Sequence, residues 1–287
     1  MSPLGKHGRI LLPALLALFT GSLVQAQTRP PIVVFSVSGS GSEASMDPIA
    51  IVDGRRLRLP YENETEDAQK KFGEQYFATG KTYRLIFGGG EAGTVKVDKW
   101  SVGCNNIHAQ VTASTSARLG GRVMALATSS ATLGKQSVSR RPATDAERTA
   151  MIALMKSIYQ QKRTPAALMA SIKVSNLTAT DLDGDGKYEL IGSFSLAAKN
   201  KFERDLFLIA KPQGDKFVAD FVKFQGYQPP PEEFLYGIDY IEQLDLDGDG
   251  VGEVFATQGG FDGYALLVFK KVAGRWRQVY DIMGDAC

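Results

Sequence analysis

Asp181-Leu-Asp183-Gly-Asp185-Gly-Lys187-Tyr-Glu189 and Asp245-Leu-Asp247-Gly-Asp249-Gly-Val251-Gly-Glu253 are two copies of one nine-residue pattern, 64 positions apart. Each copy carries four carboxylates. Like charges this dense repel unless a cation lies among them. Hard cations take oxygen ligands, and Ca2+ takes about six to eight at roughly 2.3–2.6 Å. The spacing predicts two Ca2+ sites. In the first, Asp181, Asp183 and Asp185 supply positions 1, 3 and 5, Lys187 supplies its backbone carbonyl with its ammonium pointing outward, and Glu189 closes the cage. In the second the same roles fall to Asp245, Asp247, Asp249, the Val251 carbonyl and Glu253. Mg2+ suits such loops less, because it demands a small octahedral site and keeps several waters. Asp-Gly turns without metal share these residue types. Two in-register copies with complete ligand sets argue for the cation.

An EF-hand opens with the same pattern but needs its closing acid at position 12 and helices on both sides. Here the closing acid is at position 9, and the flanks are β-prone: Leu177-Thr-Ala-Thr180 before, Leu190-Ile-Gly-Ser-Phe194 after. The loops resemble the calcium loops of FG-GAP repeats, as in integrin-type β-propellers, and of the related VCBS repeats. The resemblance covers about residues 172–283 and implies blade-like units of four strands with Ca2+ held at positions 1, 3, 5, 7 and 9. A closed propeller takes about four to eight blades, whereas this chain has two units. Either two blades pack face to face and onto a long helix, or several chains assemble.

Outward from the loops, the repeat continues. Asn176 to Ser193 aligns with Tyr240 to Thr257 without gaps. Asp205-Leu-Phe-Leu-Ile-Ala210 answers Tyr264-Ala-Leu-Leu-Val-Phe269, now 59 positions apart, and Gly214-Asp-Lys-Phe217 answers Ala273-Gly-Arg-Trp276. Gln228-Pro-Pro-Pro-Glu232 reads as an extended spacer between the units. Upstream, Thr144-Asp-Ala-Glu147 is a capping box ahead of a helix whose apolar face is Met151, Leu154, Met155, Ile158 and Tyr159. Thr164-Pro165 starts a further helical turn.

Residues before Arg140-Arg-Pro142 read as mainly β with one helix. Ser36 to Ser45 reads as a mobile Gly/Ser loop, and Asp53-Gly54 as the turn of a hairpin. Asn63 and Glu66 have capping-box spacing for a helix reaching about Phe77, with Phe72, Tyr76 and Phe77 on its buried side. Residues 82–87 and 94–100 pair around Gly88-Gly-Gly-Glu-Ala-Gly93, and 107–115 and 121–129 are further β-prone stretches. That Gly-rich loop feeds a strand, so it reads as a hairpin turn and not a phosphate loop. The fold class is thus α+β, mainly β. It comprises a signal peptide (1–26), a β-rich N-terminal domain (27–142), a helical connector (143–171), and two four-stranded propeller-blade-like repeats (172–287).

Lys6 and Arg9, the apolar run Ile10 to Phe19, and Val24-Gln25-Ala26 predict a leader cleaved after Ala26 and a secreted or periplasmic protein. The apolar run is too short for a membrane span, which needs about 20 residues. The remaining 261 residues balance 31 basic against 31 acidic side chains. That gives no global field for nucleic acid or acidic membranes. Cys104 and Cys287 are the two cysteines of the chain. In an oxidising compartment they suit one intramolecular disulfide; free thiols or an intermolecular bond are the alternatives.

His108 is the one histidine beyond the leader. It reads as a partly buried structural residue, without a nucleophile elbow or a second imidazole for zinc. Trp100, Trp276 and Tyr227 are aromatic candidates for sugar stacking, with core packing the simpler reading. Asn63-Glu-Thr65 and Asn176-Leu-Thr178 are formal glycosylation sequons. The composite expectation is an exported, non-enzymatic calcium-binding protein that recognises a protein or glycan. The alternatives are a calcium-dependent extracellular hydrolase and a calcium-stabilised envelope or assembly protein.

Overall fold

Alternate residues of the first strands face one shared interior, and the strands close around it into a barrel. The computed structural model describes residues 31–54, 56–61, 65–103, 107–198, 202–227, 237–259 and 263–285. Its first strands are β1 (Ile32–Ser38), β2 (Ala44–Asp53), β3 (Arg56–Arg58), β4 (Thr82–Phe87), β5 (Gly90–Val102), β6 (Ile107–Thr115) and β7 (Ala125–Thr128). They pair in the order β1-β7-β4-β5-β6-β2, and β1 also pairs β2, so six strands close and β3 extends the β2 edge. Val33, Phe35 and Val37 of β1 point inward with Leu85, Val95, Val97, Ile107, Ala109 and Val111. The helix α1 (Glu66–Tyr76) adds Phe72, Tyr76 and, just past its end, Phe77 to that core.

Several expectations change here. Ser36 to Ser45 is not a loop throughout: Ser36 and Ser38 continue β1, Ala44 and Ser45 open β2, and Ser38 pairs with Ser45. Phe35, Val37, Ala44 and Met46 face the core on either side of the polar residues, which is what makes the segment a ladder. The N-cap of α1 is Thr65, whose Oγ1 accepts from Ala68 N at 3.3 Å. Asn63 lies outside the described residues. The Gly88–Gly89 pair alone turns the β4–β5 hairpin, since Phe87 already pairs with Gly90.

The second half contains β8 (Arg141–Pro142), α2 (Asp145–Gln161), a 3-10 turn at Ala166–Ser171, β9 (Lys173–Thr180), β10 (Glu189–Ala198), β11 (Phe202–Gln213), β12 (Lys216–Tyr227), β13 (Ile238–Leu244), β14 (Glu253–Gly259), β15 (Gly263–Val272) and β16 (Arg275–Asp285). The capping box of α2 forms as its sequence requires: Glu147 N donates to Thr144 Oγ1 at 3.3 Å and Thr144 N donates to Glu147 Oε2 at 2.8 Å. Two antiparallel meanders follow, β12-β11-β10-β9 with β8 on its edge, and β13-β14-β15-β16.

Burial on both faces explains the unbroken apolar runs 206–210 of β11 and 265–269 of β15. Leu206, Leu208 and Ala210 of β11 pack with Met151, Met155, Ile158 and Tyr159 of α2. Phe207 and Ile209, on the opposite face, pack with Ala265, Leu267 and Phe269 of β15. Leu266 and Val268 of β15 turn the other way, to Val34, Ile86 and Leu126 on the outside of the barrel. The molecule is thus a stack: helix α2, first meander, second meander, barrel. Burying a strand on both faces removes the polar alternation that a one-sided sheet would keep. No helix among the described residues is long and apolar enough to cross a membrane. The expected leader, the spacer 228–232, and Cys104 and Cys287 with the bridge expected between them lie outside the described residues.

Candidate metal centre

The two acidic loops are the β9–β10 and β13–β14 turns, and they lie side by side. Gly252 N donates to Leu182 O at 2.8 Å, and Gln243 Nε2 donates to Asp181 O at 2.9 Å. Each loop is wound by its own first aspartate. Asp181 Oδ1 and Oδ2 accept from Gly184 N at 2.8 Å and Gly186 N at 2.9 Å; Asp245 accepts from Gly248 N at 2.8 Å and Gly250 N at 3.0 Å. The glycines at positions 4 and 6 of each loop have positive φ, 71° and 81° at Gly184 and Gly186 and 77° and 88° at Gly248 and Gly250. That is backbone an L-residue with a Cβ adopts only with strain.

The winding gathers oxygen atoms. One carboxylate oxygen from each of Asp181, Asp183 and Asp185 lies within 4.8 Å of the others, as does one from each of Asp245, Asp247 and Glu253. Asp183 Oδ1 is buried and has no hydrogen-bond partner. An all-oxygen donor set with one orphaned buried oxygen fits a hard cation. The closing glutamates are held from behind: Glu189 Oε2 accepts from Leu182 N at 2.9 Å, and Glu253 Oε2 from Leu246 N at 2.7 Å. Burial raises the Glu189 carboxyl to about 7 against that backbone bond, with the charges of Asp183 and Asp181 adding to the rise. A cation among the oxygens would reverse the balance.

The loops differ in what faces them. Lys187 does not point its ammonium outward; it turns back onto Asp185 Oδ2 at 3.0 Å, a pairing that lowers the Asp185 pKa. Val251, its counterpart, packs against the apolar layer between the meanders. Into the second loop comes Lys270 from β15. Its Nζ is 2.8 Å from Asp247 Oδ1 and 3.4 Å from Asp249 Oδ2, and it donates to Glu253 Oε1. Burial works against the Lys270 ammonium, yet its hydrogen bonds to Asp247 and Glu253 prevail and raise its pKa. Glu253 is raised as well, because its burial outweighs the lysine. Sequence reasoning missed Lys270. The signal that was present is the repeat itself, which places Lys211 and Lys270 at equivalent positions.

Elsewhere, His108 is exposed and not partly buried, because Ile107, Ala109 and Val111 take the inward positions of β6. Its Nε2 lies 3.0 Å from Ser101 Oγ on β5. Trp100 packs half-buried on the barrel core, and Trp276 is buried, donating from Nε1 to Asp220 Oδ2 at 3.0 Å. Trp276 is thus covered, whereas Trp100 keeps part of its surface exposed; the Tyr227 side chain lies outside the described residues. Asn176 is half-buried and accepts from the Thr178 hydroxyl at 3.1 Å. No protein-family model, curated protein or solved structure matches the chain.

Proposed function

We propose that the chain is an exported calcium-binding protein whose paired loops hold Ca2+ and fix a surface that recognises a protein or glycan. The observation that carries this reading is the convergence of Asp181, Asp183 and Asp185 oxygens within 4.8 Å at a turn that is repeated in the adjoining meander. In this reading Asp181, Asp183, Asp185 and Glu189 hold the first ion, with Asp245, Asp247, Asp249 and Glu253 the corresponding set in the second loop. The two meanders are blade-like units of the FG-GAP/VCBS type, stacked face to face instead of ringed. Calcium supplies positive charge where four carboxylates would otherwise repel. The chain's own residues supply the backbone winding and a rigid neighbouring sheet.

A cation bound only by the folded chain adds stability of RT ln(1 + [L]/Kd), about 2.7 kcal/mol at a hundredfold excess over Kd. Sites of this kind outside cells fall near 10^-4 to 10^-3 M. The test is thermal unfolding of chelator-treated protein with and without millimolar Ca2+. The melting point should rise with Ca2+, and Asp181→Ala combined with Asp245→Ala should abolish the rise. An undiminished calcium response in the double variant would overturn the reading.

A second reading, an acyl-transfer hydrolase, is favoured by the Ser101–His108 contact. The two side chains line a cleft of about 480 Å3 with Glu43, Lys99 and Trp100. Asp47 on β2 is close enough for the His108 charge to act on it, although burial still raises it to about 6. A serine hydroxyl beside an imidazole is the pairing of nucleophile and general base. Hydrolysis of an activated ester that disappears in Ser101→Ala would support this reading. Equal background rates in both proteins would remove it.

A further inference from the structure

We infer that the two acidic loops are unequal: the loop at 181–189 is open to a divalent cation, while the loop at 245–253 carries the Lys270 ammonium as a tethered cation that an incoming ion must displace. The inference rests on the metal reading above and specifies how the two sites differ.

The cause lies one strand away. Lys211 and Lys270 occupy the same position of β11 and β15, opposite Val218 and Arg277 respectively. Beyond that pair, both meanders carry a bulge. Ile209 pairs with Phe221 and Ala210 with Ala219, leaving Asp220 unpaired; Val268 pairs with Tyr280 and Phe269 with Gln278, leaving Val279 unpaired. The equivalent bulge residue is therefore an acid in one repeat and an apolar residue in the other. Asp220 Oδ1 holds Lys211 Nζ at 2.6 Å and so draws it away from the first loop. Val279 offers nothing to Lys270, whose nearest anions are the second loop's own carboxylates. The first loop has lysines near it too, but only at its exposed rim: Lys187 Nζ pairs with Asp185 Oδ2 at 3.0 Å, and Lys271 Nζ is 3.9 Å from Asp183 and is shared with Asp220 at 3.8 Å.

Lys270 also has somewhere to go. A cleft of about 500 Å3 between the β2–β3 hairpin and β16 is lined by Asp247, Glu253, Lys270 and Val279. An ammonium released from the loop would enter this open cleft, which Arg56 also lines, and an acid at position 279 would face the same cleft. The loop can therefore exchange a monovalent internal cation for a divalent external one without disturbing the core. The exchange costs the ion the charge-assisted hydrogen bonds of Lys270, enough to weaken the second site by about tenfold or more.

Calorimetric titration of the chelator-treated full chain with Ca2+, with Mg2+ as control, tests this on five proteins. Wild type should show one strong site, removed by Asp181→Ala, with the other at least about tenfold weaker. Lys270→Met should add a second site of comparable affinity, and Val279→Asp should do the same by drawing Lys270 into the cleft, which guards against a folding defect in either variant. Asp220→Val should release Lys211 toward Glu189 and weaken the first site. Two equal sites in wild type, unchanged in Lys270→Met and Val279→Asp, would overturn the asymmetry and leave the metal reading standing. No binding to wild type, Lys270→Met or Val279→Asp would overturn the metal reading itself.

Discussion

Arg140 and Glu242 form a buried ion pair, 3.0 Å between Nη1 and Oε2, that links the barrel to the second meander. Their side chains are 3% and 0% exposed. The same Nη1 donates to the carbonyls of Met124 at 2.8 Å and Ile241 at 2.6 Å, and the guanidinium lies between the rings of Phe87 and Tyr240. Glu242 in turn accepts from Tyr240 OH at 3.1 Å and Gln243 N at 2.8 Å. Removing one partner strands a charge in a dry layer. Glu242→Gln should lower stability by about 3–5 kcal/mol, whereas Arg140→Met with Glu242→Gln should recover part of the loss. Urea denaturation of the two variants measures both. A single-variant loss below about 1 kcal/mol would mean that water reaches the pair.

Gly73 sits where α1 meets the barrel wall. A Cβ there would come within 2.6 Å of the Trp100 ring and 2.7 Å of Ile107 Cδ1. By helix propensity alone Gly73→Ala would stabilise by about 1 kcal/mol. The contact should reverse the sign, giving a loss of about 1–3 kcal/mol. Trp100→Leu in the same background should relieve it. Thermal melts that show Gly73→Ala more stable than wild type would place α1 farther from β5.

Asp205 is 3% exposed and neither of its oxygens has a hydrogen-bond partner. Burial raises its carboxyl from 3.8 to about 7, with Glu203 and Asp239 adding to the rise. The folded chain therefore binds this proton more tightly than the unfolded one. The associated stability is fully present below 3.8 and is lost as pH rises through about 7. Asp205→Asn should melt a few degrees above wild type at pH 8 and level with it near pH 4. Parallel melting curves across that range would refute the assignment.

Glu147 has the opposite sign. Arg141 grips it with Nη1 at 2.7 Å and Nη2 at 2.8 Å, and that pair, against some burial, lowers the carboxyl from 4.5 to about 2. Its contribution is present above 4.5 and is lost as pH falls toward 2. Glu147→Gln keeps a capping side chain but not the charge. It should cost about 0.5–1 kcal/mol at neutral pH, since Arg141 is partly solvated, and nothing at pH 2. A cost that persists at pH 2 would assign the effect to the cap alone.

The acidic loops, the repeat of the meanders and the capping of α2 were all legible in the chain because each depends on residues within one turn or one hairpin. The face of α2 was legible for the same reason: Met151, Met155, Ile158 and Tyr159 share a helical stripe and are buried together. Barrel closure was not, because it rests on β1 pairing with both β2 and β7, and the β7 partners lie some ninety residues downstream. Arg140 read as part of a boundary, since nothing near it in sequence announces Glu242. The position of Lys270 depends on the bulge in β16, and His108 meets Ser101 only through the register of β5 with β6. Pairings that register decides, and not local pattern, are where the reading stopped.

The layered stack also bears on how such a chain can grow. Repeat proteins stay soluble when an end unit covers the last exposed apolar face. Here α2 covers the outer face of one meander with Met151 and Tyr159, and the barrel covers the other with Val34, Ile86 and Leu126. Both lids are different in kind from the units between them. A third meander would have to evict one of them, so duplication in this architecture is self-terminating at two, and an odd unit would find its partner only on another molecule.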